Sequence, residues 1–262
     1  MNPFGGTGFG GVGFSGATRV KSVLGGGGQP PICVLRCCYG RDGDVYSSGK
    51  PRTVTGPGQV DCDSPEVTRL FELRSDPARD LARQAGAVAE ACHAMAVRFH
   101  RGGRLIVFGT GGPSADAQHV AVEFVHPVIV GKRALPAISL TADVATVTGI
   151  AERSGIDAIF AHQLRYLADP ADIALGISAD GDNASVLAGL AMAQDLGLLT
   201  IALVGGNGGR IAAAHAAEHL LTVASGDPCV IKEMQVTTYH ILWELVHVFF
   251  EQPGVLDPGV VT

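Results

Sequence analysis

Short continuous runs of apolar residues alternate along the chain with longer segments in which apolar residues recur every three or four positions. The continuous runs are typical of strands that are covered on both faces of a sheet. The longer segments are typical of helices that bury one face. Strands are predicted over residues 105–108, 135–140, 172–177, 199–204 and 219–223. Because strands alternate with helices, the pattern predicts an α/β fold with a parallel sheet covered on both faces.

Helices are predicted before the first strand and between the later ones. Ser64 and Pro65 form a capped helix start, and a second start follows at Ser75. Apolar residues at helical spacing from Leu81 to Phe99 predict a helix that ends at 101–103. A further helix begins near Pro113, and the later ones are predicted over residues 142–151, 157–167, 184–195, 211–217 and 231–251.

The first 63 residues differ in composition from the rest of the chain. Eleven of the first 28 residues are glycine. Such a segment has too few apolar side chains to offset the entropy that its backbone would lose on folding. We therefore expect residues 1–63 to form a poorly ordered extension without an assigned function, and residues 64–262 to form the folded domain.

Charge and hydropathy narrow the classes of partner. The formal net charge of −6 argues against a nucleic-acid partner, because such proteins usually present a basic face. We expect no membrane association, since no apolar run reaches the roughly 18 residues of a membrane span. The N-terminal sequence also lacks the pattern of a signal peptide. These features predict a cytoplasmic protein, and its six cysteines are expected to be reduced and unligated.

A glycine-rich turn follows the first predicted strand. Gly109, Gly111 and Gly112 allow a sharp turn and leave room for a ligand, and Pro113 suits the first turn of a helix. The helix N-terminus that follows offers N–H groups to an anion. A dinucleotide site is not indicated, because Ser114 stands where that fingerprint needs glycine. We expect no nucleotide cofactor.

Two predicted helices carry residues that are suited to acid–base or metal chemistry. His119 and Glu123 are four residues apart, on one face of the helix after the glycine turn. Glu233 and His240 are seven apart on the last helix, again on one face. Two helices that each present a carboxylate and an imidazole in an apolar protein form a candidate acid–base or metal site. The alternative is that His119 and Glu123 form an ordinary exposed polar pair.

Four segments together resemble a known family. The sequence Gly-Thr-Gly-Gly-Pro-Ser-Ala-Asp-Ala-Gln-His-x3-Glu at 109–123, the segments 135–143 and 175–178, and Glu233-x6-His240 resemble the sugar isomerase (SIS) domain of phosphoheptose isomerases. The resemblance implies a flavodoxin-like, doubly wound three-layer αβα sandwich with a five-stranded parallel sheet. It also implies a homodimer or homotetramer with the active site at a subunit interface.

The resemblance implies aldose–ketose isomerisation of the sugar phosphate sedoheptulose 7-phosphate through an enediol. Glu123 would abstract the carbon-bound proton, and His240 would act as acid or base on the oxygens. Many members hold zinc, here through His119, Glu123 and His240. The implied substrate-binding residues are Gly109, Thr110, Gly111, Gly112, Ser114, Asp143, Ser178, Asp180, Asn183 and Lys232.

Two departures from the family pattern affect these expectations. Lys232 stands at the position of a zinc-ligand glutamine, and a protonated lysine has no lone pair for a metal. The phosphate loop usually reads Ser-Thr-Ser-Gly-Asn-Ser, whereas residues 178–183 read Ser-Ala-Asp-Gly-Asp-Asn. A carboxylate that faces a phosphate costs Coulomb energy and donates no hydrogen bond.

Three functional hypotheses therefore stand beside one another. The first is an active isomerase of a sugar phosphate, which Glu123, His119 and His240 favour. The second is a non-catalytic SIS module that binds a carbohydrate derivative or a protein partner in a regulatory role. The third is an enzyme for a non-phosphorylated or cationic substrate, to which the acidic loop would be matched.

Overall fold

The computed structural model describes residues 65–252 and 254–256. Its centre is a sheet of five parallel strands in the order β2-β1-β3-β4-β5. The strands are β1 (Leu105–Gly109), β2 (Ala137–Ser139), β3 (Ile173–Ser178), β4 (Leu199–Gly205) and β5 (His219–Val223). The predicted extension, residues 1–63, and the capping Ser64 lie outside the described residues.

Helices cover both faces of the sheet. They are α1 (Pro65–Glu72), α2 (Ser75–Arg83), α3 (Ala85–His100), α4 (Gly112–Val125), α5 (Val144–Ser154), α6 (Ile159–Leu167), α7 (Ala184–Asp195), α8 (Gly209–Ala213) and α9 (Pro228–Phe250). Apolar residues of α3, α4 and α9 form the core on one face. Those of α5, α6, α7 and α8 form the core on the other. The predicted three-layer αβα sandwich is confirmed.

Strand β1 shows why continuous apolar runs form the middle layer. Successive side chains of a strand point to opposite faces of the sheet. Leu105 and Val107 accordingly pack with the α3, α4 and α9 core. Ile106 and Phe108 pack with the opposite core. Every residue of β1 is buried, so both faces need apolar side chains.

The helix that was predicted through residues 81–99 is two helices. The break lies at Gln84, between α2 and α3. The Gln84 side chain pairs with the backbone of the last strand: Nε2 donates to the Thr222 carbonyl oxygen at 2.7 Å, and Oε1 accepts from the Thr222 N–H at 3.2 Å. A contact 138 residues away along the chain thus sets a helix boundary that apolar spacing alone does not show.

Several other boundaries differ from the prediction by a few residues. Strand β2 is shorter than the predicted 135–140. Helix α8 begins earlier than the predicted 211 and ends at Ala213, and His215 soon after it has a positive φ of 48°. Over the described residues, none of the helices combines the length and the apolar character that crossing a membrane requires.

Candidate active site

The turn between β1 and α4 brings the backbone close to the neighbouring strand. A Cβ atom on Gly109 would lie 2.8 Å from the Ile177 carbonyl oxygen, so a larger residue there would collide with β3. Gly111 has a φ of 70°, which favours glycine. The Ser114 hydroxyl donates to the Gly111 carbonyl oxygen at 2.6 Å. Helix α4 therefore begins at the carboxyl edge of the sheet, where ligands bind in such folds.

Two helices bring His119, Glu123 and His240 together. On α4, His119 Nε2 lies 3.0 Å from Glu123 Oε1. From α9, His240 Nε2 lies 3.9 Å from the same oxygen. The Glu123 side chain is 12% exposed, whereas those of His119 and His240 are 46% and 44% exposed. The arrangement is a shielded carboxylate between two imidazoles that solvent or a ligand can reach.

The hydrogen bond of His240 Nδ1 determines which ring nitrogen of His240 carries the proton. His240 Nδ1 lies 2.9 Å from the Val236 carbonyl oxygen, one turn earlier in α9. A carbonyl oxygen only accepts, so Nδ1 carries the proton in this contact. In the neutral ring, Nε2 then keeps its lone pair. That atom, the one nearer Glu123, can take a proton or hold a metal ion.

Tyr239 packs against both imidazoles from inside the protein. Its ring centroid lies 5.5 Å from that of His119 and 4.8 Å from that of His240. Burial, together with the negative charges of Asp116 and Glu123, raises the pKa of Tyr239 to about 12. The phenol therefore stays protonated at neutral pH. Tyr239 limits how far the two imidazole rings can move.

The same three side chains fit a zinc ion. Ligand atoms of His119, Glu123 and His240 all lie within 4.8 Å of one another. Two imidazole nitrogens and a carboxylate oxygen are a donor set of catalytic zinc sites, in which a fourth position stays open for water or substrate. The residues present therefore suit a three-ligand site.

Lys232 is bound by a carboxylate that the sequence analysis did not identify. Its Nζ donates to both oxygens of Asp116, at 2.7 and 2.6 Å. Asp116 lies one turn before His119 in α4 and is only 5% exposed. A buried carboxylate needs such a partner, because an unpaired charge is costly away from water. Its spacing of three residues from His119 was the available signal, since it places both on one helix face.

The carboxylates of the loop after β3 are turned onto backbone N–H groups. Asp180 Oδ1 accepts from the Asp182 N–H at 2.9 Å. Asp182 Oδ1 accepts from the Arg210 N–H at 2.9 Å, at the start of α8. Ser178 is buried, and its hydroxyl oxygen accepts from the Gly181 N–H at 3.0 Å. One oxygen of each of these two aspartate carboxylates is therefore directed at a backbone N–H group.

Thr110 and Asn183 join the two turns. Asn183 Nδ2 donates to Thr110 Oγ1 at 2.5 Å. Asn183 Oδ1 accepts from the Val186 N–H at 3.0 Å and so caps α7. The hydrogen bond between Asn183 and Thr110 thus joins the turns at 109–114 and 178–183, where β1 and β3 end side by side.

The chain is similar to known proteins of one family. Residues 76–205 match the SIS domain. Over 188 residues the chain is 40% identical to a phosphoheptose isomerase of Solidesulfovibrio magneticus, an alignment that covers 71% of this chain and 91% of that protein. This chain belongs to the phosphoheptose isomerase family. A family member from Aquifex aeolicus is 40% identical over 152 residues, which cover 58% of this chain and 78% of that one.

Solved structures of the phosphoheptose isomerase family have the same fold. That of a phosphoheptose isomerase from Francisella tularensis aligns with a TM-score of 0.66 at 31% identity, covering 70% of this chain and 97% of that one. That of phosphoheptose isomerase GmhA from Neisseria gonorrhoeae aligns with a TM-score of 0.64 at 28% identity, covering 69% and 96%. The resemblance inferred from the sequence motifs is confirmed.

Two acidic residues named in the sequence analysis have other partners in this phosphoheptose isomerase family member. Asp143 caps α5, accepting from the Ala145 and Thr146 N–H groups and from the Thr146 hydroxyl. These hydrogen bonds lower the pKa of Asp143, the Thr146 hydroxyl first among them. The expectation that Glu233 joins His240 is wrong, because Glu233 pairs with Arg74 at 2.6 and 2.8 Å. Seven residues span about 10 Å of helix, which carries Glu233 toward α2.

Proposed function

We propose that this chain interconverts sedoheptulose 7-phosphate and a heptose 7-phosphate by aldose–ketose isomerisation. The observation that carries the proposal is the carboxylate of Glu123, which lies within 4 Å of imidazole nitrogens of His119 and His240. Membership in the phosphoheptose isomerase family supports an isomerase reaction and a sugar phosphate as substrate.

Glu123 and His240 divide the proton transfers of this reaction. The Glu123 carboxylate takes the proton from the carbon next to the carbonyl, and the electron pair of that C–H bond forms the double bond of an enediol. The His240 imidazole takes the proton from the hydroxyl oxygen of that carbon and gives a proton to the former carbonyl oxygen, so that the first oxygen becomes the new carbonyl. Return of a proton to the neighbouring carbon completes the exchange. A carboxylate and an imidazole on different helices can serve the carbon and the oxygens separately.

The loop contacts support a phosphate at the edge formed by the two turns. The Asp180 and Asp182 carboxylates each accept a backbone N–H, which reduces the charge that they present to an anion. The N-terminus of α4 lies at the same edge and favours negative charge. Thr110, Ser114 and Asn183 are partly exposed polar residues of the predicted substrate site at this edge, whereas Ser178 is buried.

We also propose that His119, Glu123 and His240 bind a zinc ion. The convergence of their ligand atoms supports this assignment. A bound zinc ion would act as a Lewis acid on a substrate oxygen in place of the proton transfer by His240, because an Nε2 lone pair that holds the metal cannot also take a proton. Lys232 contributes no ligand atom, because its ammonium has no lone pair and is held by Asp116.

The proposed reaction is tested with the purified full-length chain. Conversion of sedoheptulose 7-phosphate is expected, and treatment with a chelator is expected to lower the rate if zinc assists the reaction. Added zinc should then restore the rate. A folded chain that converts no sedoheptulose 7-phosphate, with or without zinc, would contradict the proposed function. Retained activity without any metal would contradict only the zinc assignment.

The proposed homo-oligomer is supported by exposed apolar residues that lie on both sides of Glu123 in the chain. They are Val122, Val125, Val128, Ile129 and Val130. Apolar patches beside a solvent-open site mark interaction surfaces, and a second copy would also shield the reaction from water.

Light scattering is expected to give a mass of two or four times the 27.0 kDa of one chain. Replacing Val125 with aspartate should shift the protein toward the monomer, because a charge would then enter an apolar contact. Replacing Ile156, an exposed apolar residue outside this patch, with aspartate should leave the mass unchanged. A monomeric parent would contradict the oligomer.

A further inference from the structure

Helix α4 ends at Val125, two residues after the residue proposed as the base, so the carbonyl groups of Glu123 and Phe124 need partners from outside the helix ladder. The last hydrogen bond of the ladder runs from the His126 N–H to the Val122 carbonyl oxygen at 2.8 Å, and beyond it the Leu135 N–H donates to the Phe124 carbonyl oxygen at 2.8 Å. The Glu123 carbonyl oxygen between them accepts from the indole Nε1–H of Trp243, at 2.9 Å. A side chain of α9 thus completes the end of α4 at Glu123.

Trp243 lies three residues after His240 in α9, and residues at that spacing are neighbours on a helix. We propose that Trp243 is a positioning residue, whose indole N–H sets the separation between the Glu123 carboxylate on α4 and the His240 imidazole on α9. The inference rests on the proposed isomerase function. Trp243 itself touches no reacting atom in this account.

The Trp243 indole packs against His247 of the same helix, and His247 also contacts the segment after α4. The Trp243 and His247 rings lie 4.5 Å apart between centroids. His247 Nδ1 lies 2.7 Å from the Trp243 carbonyl oxygen, and Nε2 lies 2.9 Å from the Arg133 carbonyl oxygen. Both Trp243 and His247 are buried. The indole therefore has little freedom to leave the Glu123 carbonyl.

The contact between His119 and Glu123 provides an internal reference. Both residues belong to α4, so the backbone of a single helix sets their separation of 3.0 Å. The separation of 3.9 Å between His240 and Glu123 crosses from one helix to the other. Removing the indole N–H should therefore disturb the second contact and spare the first. Misplacing a reacting group by about 1 Å costs up to roughly 100-fold in rate.

The test removes the N–H with the smallest possible change. Trp243 is the only tryptophan of the chain, so growth on benzothienylalanine replaces its indole by an isostere that has sulfur in place of N–H. We expect kcat for sedoheptulose 7-phosphate to fall about 10-fold while KM changes little, because positioning acts on the chemical step. Trp243→Phe should show the same split between kcat and KM.

Val246→Ala is the matched control, since Val246 is a fully buried residue of α9 without a polar atom. It should lower the melting temperature and leave kcat within about twofold at 25 °C, because it removes packing alone. In the parent, the single indole N–H resonance should exchange slowly with solvent.

Three results would overturn the inference. They are a rapidly exchanging indole, a benzothienylalanine protein with the kcat of the parent, or a Val246→Ala protein with the same loss of kcat. The indole measurement needs only the parent, so it decides even if the variants fail to fold. A parent without isomerase activity would overturn the proposed function and this role with it, whereas an active parent with unaffected variants would overturn only the role of Trp243.

Discussion

Replacing Glu123 with glutamine is expected to abolish most of the isomerase activity, lowering kcat by about 10³-fold, as loss of a positioned general base does. Glutamine has nearly the size of glutamate but does not take up a proton near neutral pH. Its amide can still accept a hydrogen bond from His119, so the local structure should persist. The measurement is conversion of sedoheptulose 7-phosphate by the full-length chain, with substrate binding followed separately.

The matched control is Glu244→Gln, the same chemical change at an exposed position of α9. It should keep the activity of the parent. Binding of sedoheptulose 7-phosphate by Glu123→Gln should also persist, because the carboxylate is proposed to act on the reacting carbon rather than to hold the phosphate. A Glu123→Gln protein with more than about a tenth of the parent kcat would contradict its role as the base.

The sequence predicted those parts of the candidate site whose residues are close together along the chain. The glycine turn and the pair His119 and Glu123 lie within one strand–turn–helix unit, and local spacing predicts their shared face. The apolar runs likewise predicted every strand of the sheet, because strands buried on both faces require them. Motif order along the chain then identified the family.

Contacts between distant segments were harder to predict. The i, i+7 spacing of Glu233 and His240 correctly puts both on one face of α9 but does not show which elements lie opposite each turn. Glu233 faces Arg74, while His240 faces Glu123. In the same way, the helix break at Gln84 depends on the backbone of Thr222. Such pairings follow from how the layers pack, which one-dimensional spacing does not encode.

Lys232 shows what the structure adds to a departure from the family pattern. From the sequence, Lys232 is predicted to leave a metal ligand missing and to bind substrate. The structure shows that it neutralises a buried carboxylate one turn from His119. The loop carboxylates are comparable, since Asp180 and Asp182 accept hydrogen bonds from the backbone rather than pointing only at a ligand. In both departures, the changed residues therefore form ion pairs or hydrogen bonds with nearby groups of the protein itself.

Replacing Lys232 with methionine is expected to destabilise the protein by about 2 kcal/mol, the cost of leaving a buried polar group without its partner. The Asp116 carboxylate would remain at 5% exposure without the two contacts from Nζ. Loss of the half-exposed Lys232 ammonium itself costs little free energy. The cost of the substitution therefore comes from the Asp116 carboxylate that is left without a partner. The free energy of unfolding in urea, measured at one protein concentration, tests the expectation.

The double variant Asp116→Asn, Lys232→Met separates a paired charge from simple loss of packing. With a neutral amide at 116 there is no charge left to compensate, so the double variant should be more stable than Lys232→Met by at least about 1 kcal/mol, the size of coupling that contacting residues show. Lys132→Met is the control, because its partner Glu251 is 60% exposed and such a pair contributes at most about 1 kcal/mol. Equal and small losses in the free energy of unfolding for Lys232→Met and Lys132→Met would contradict the expectation. They would show that the Lys232 ammonium does not stabilise the buried Asp116 carboxylate.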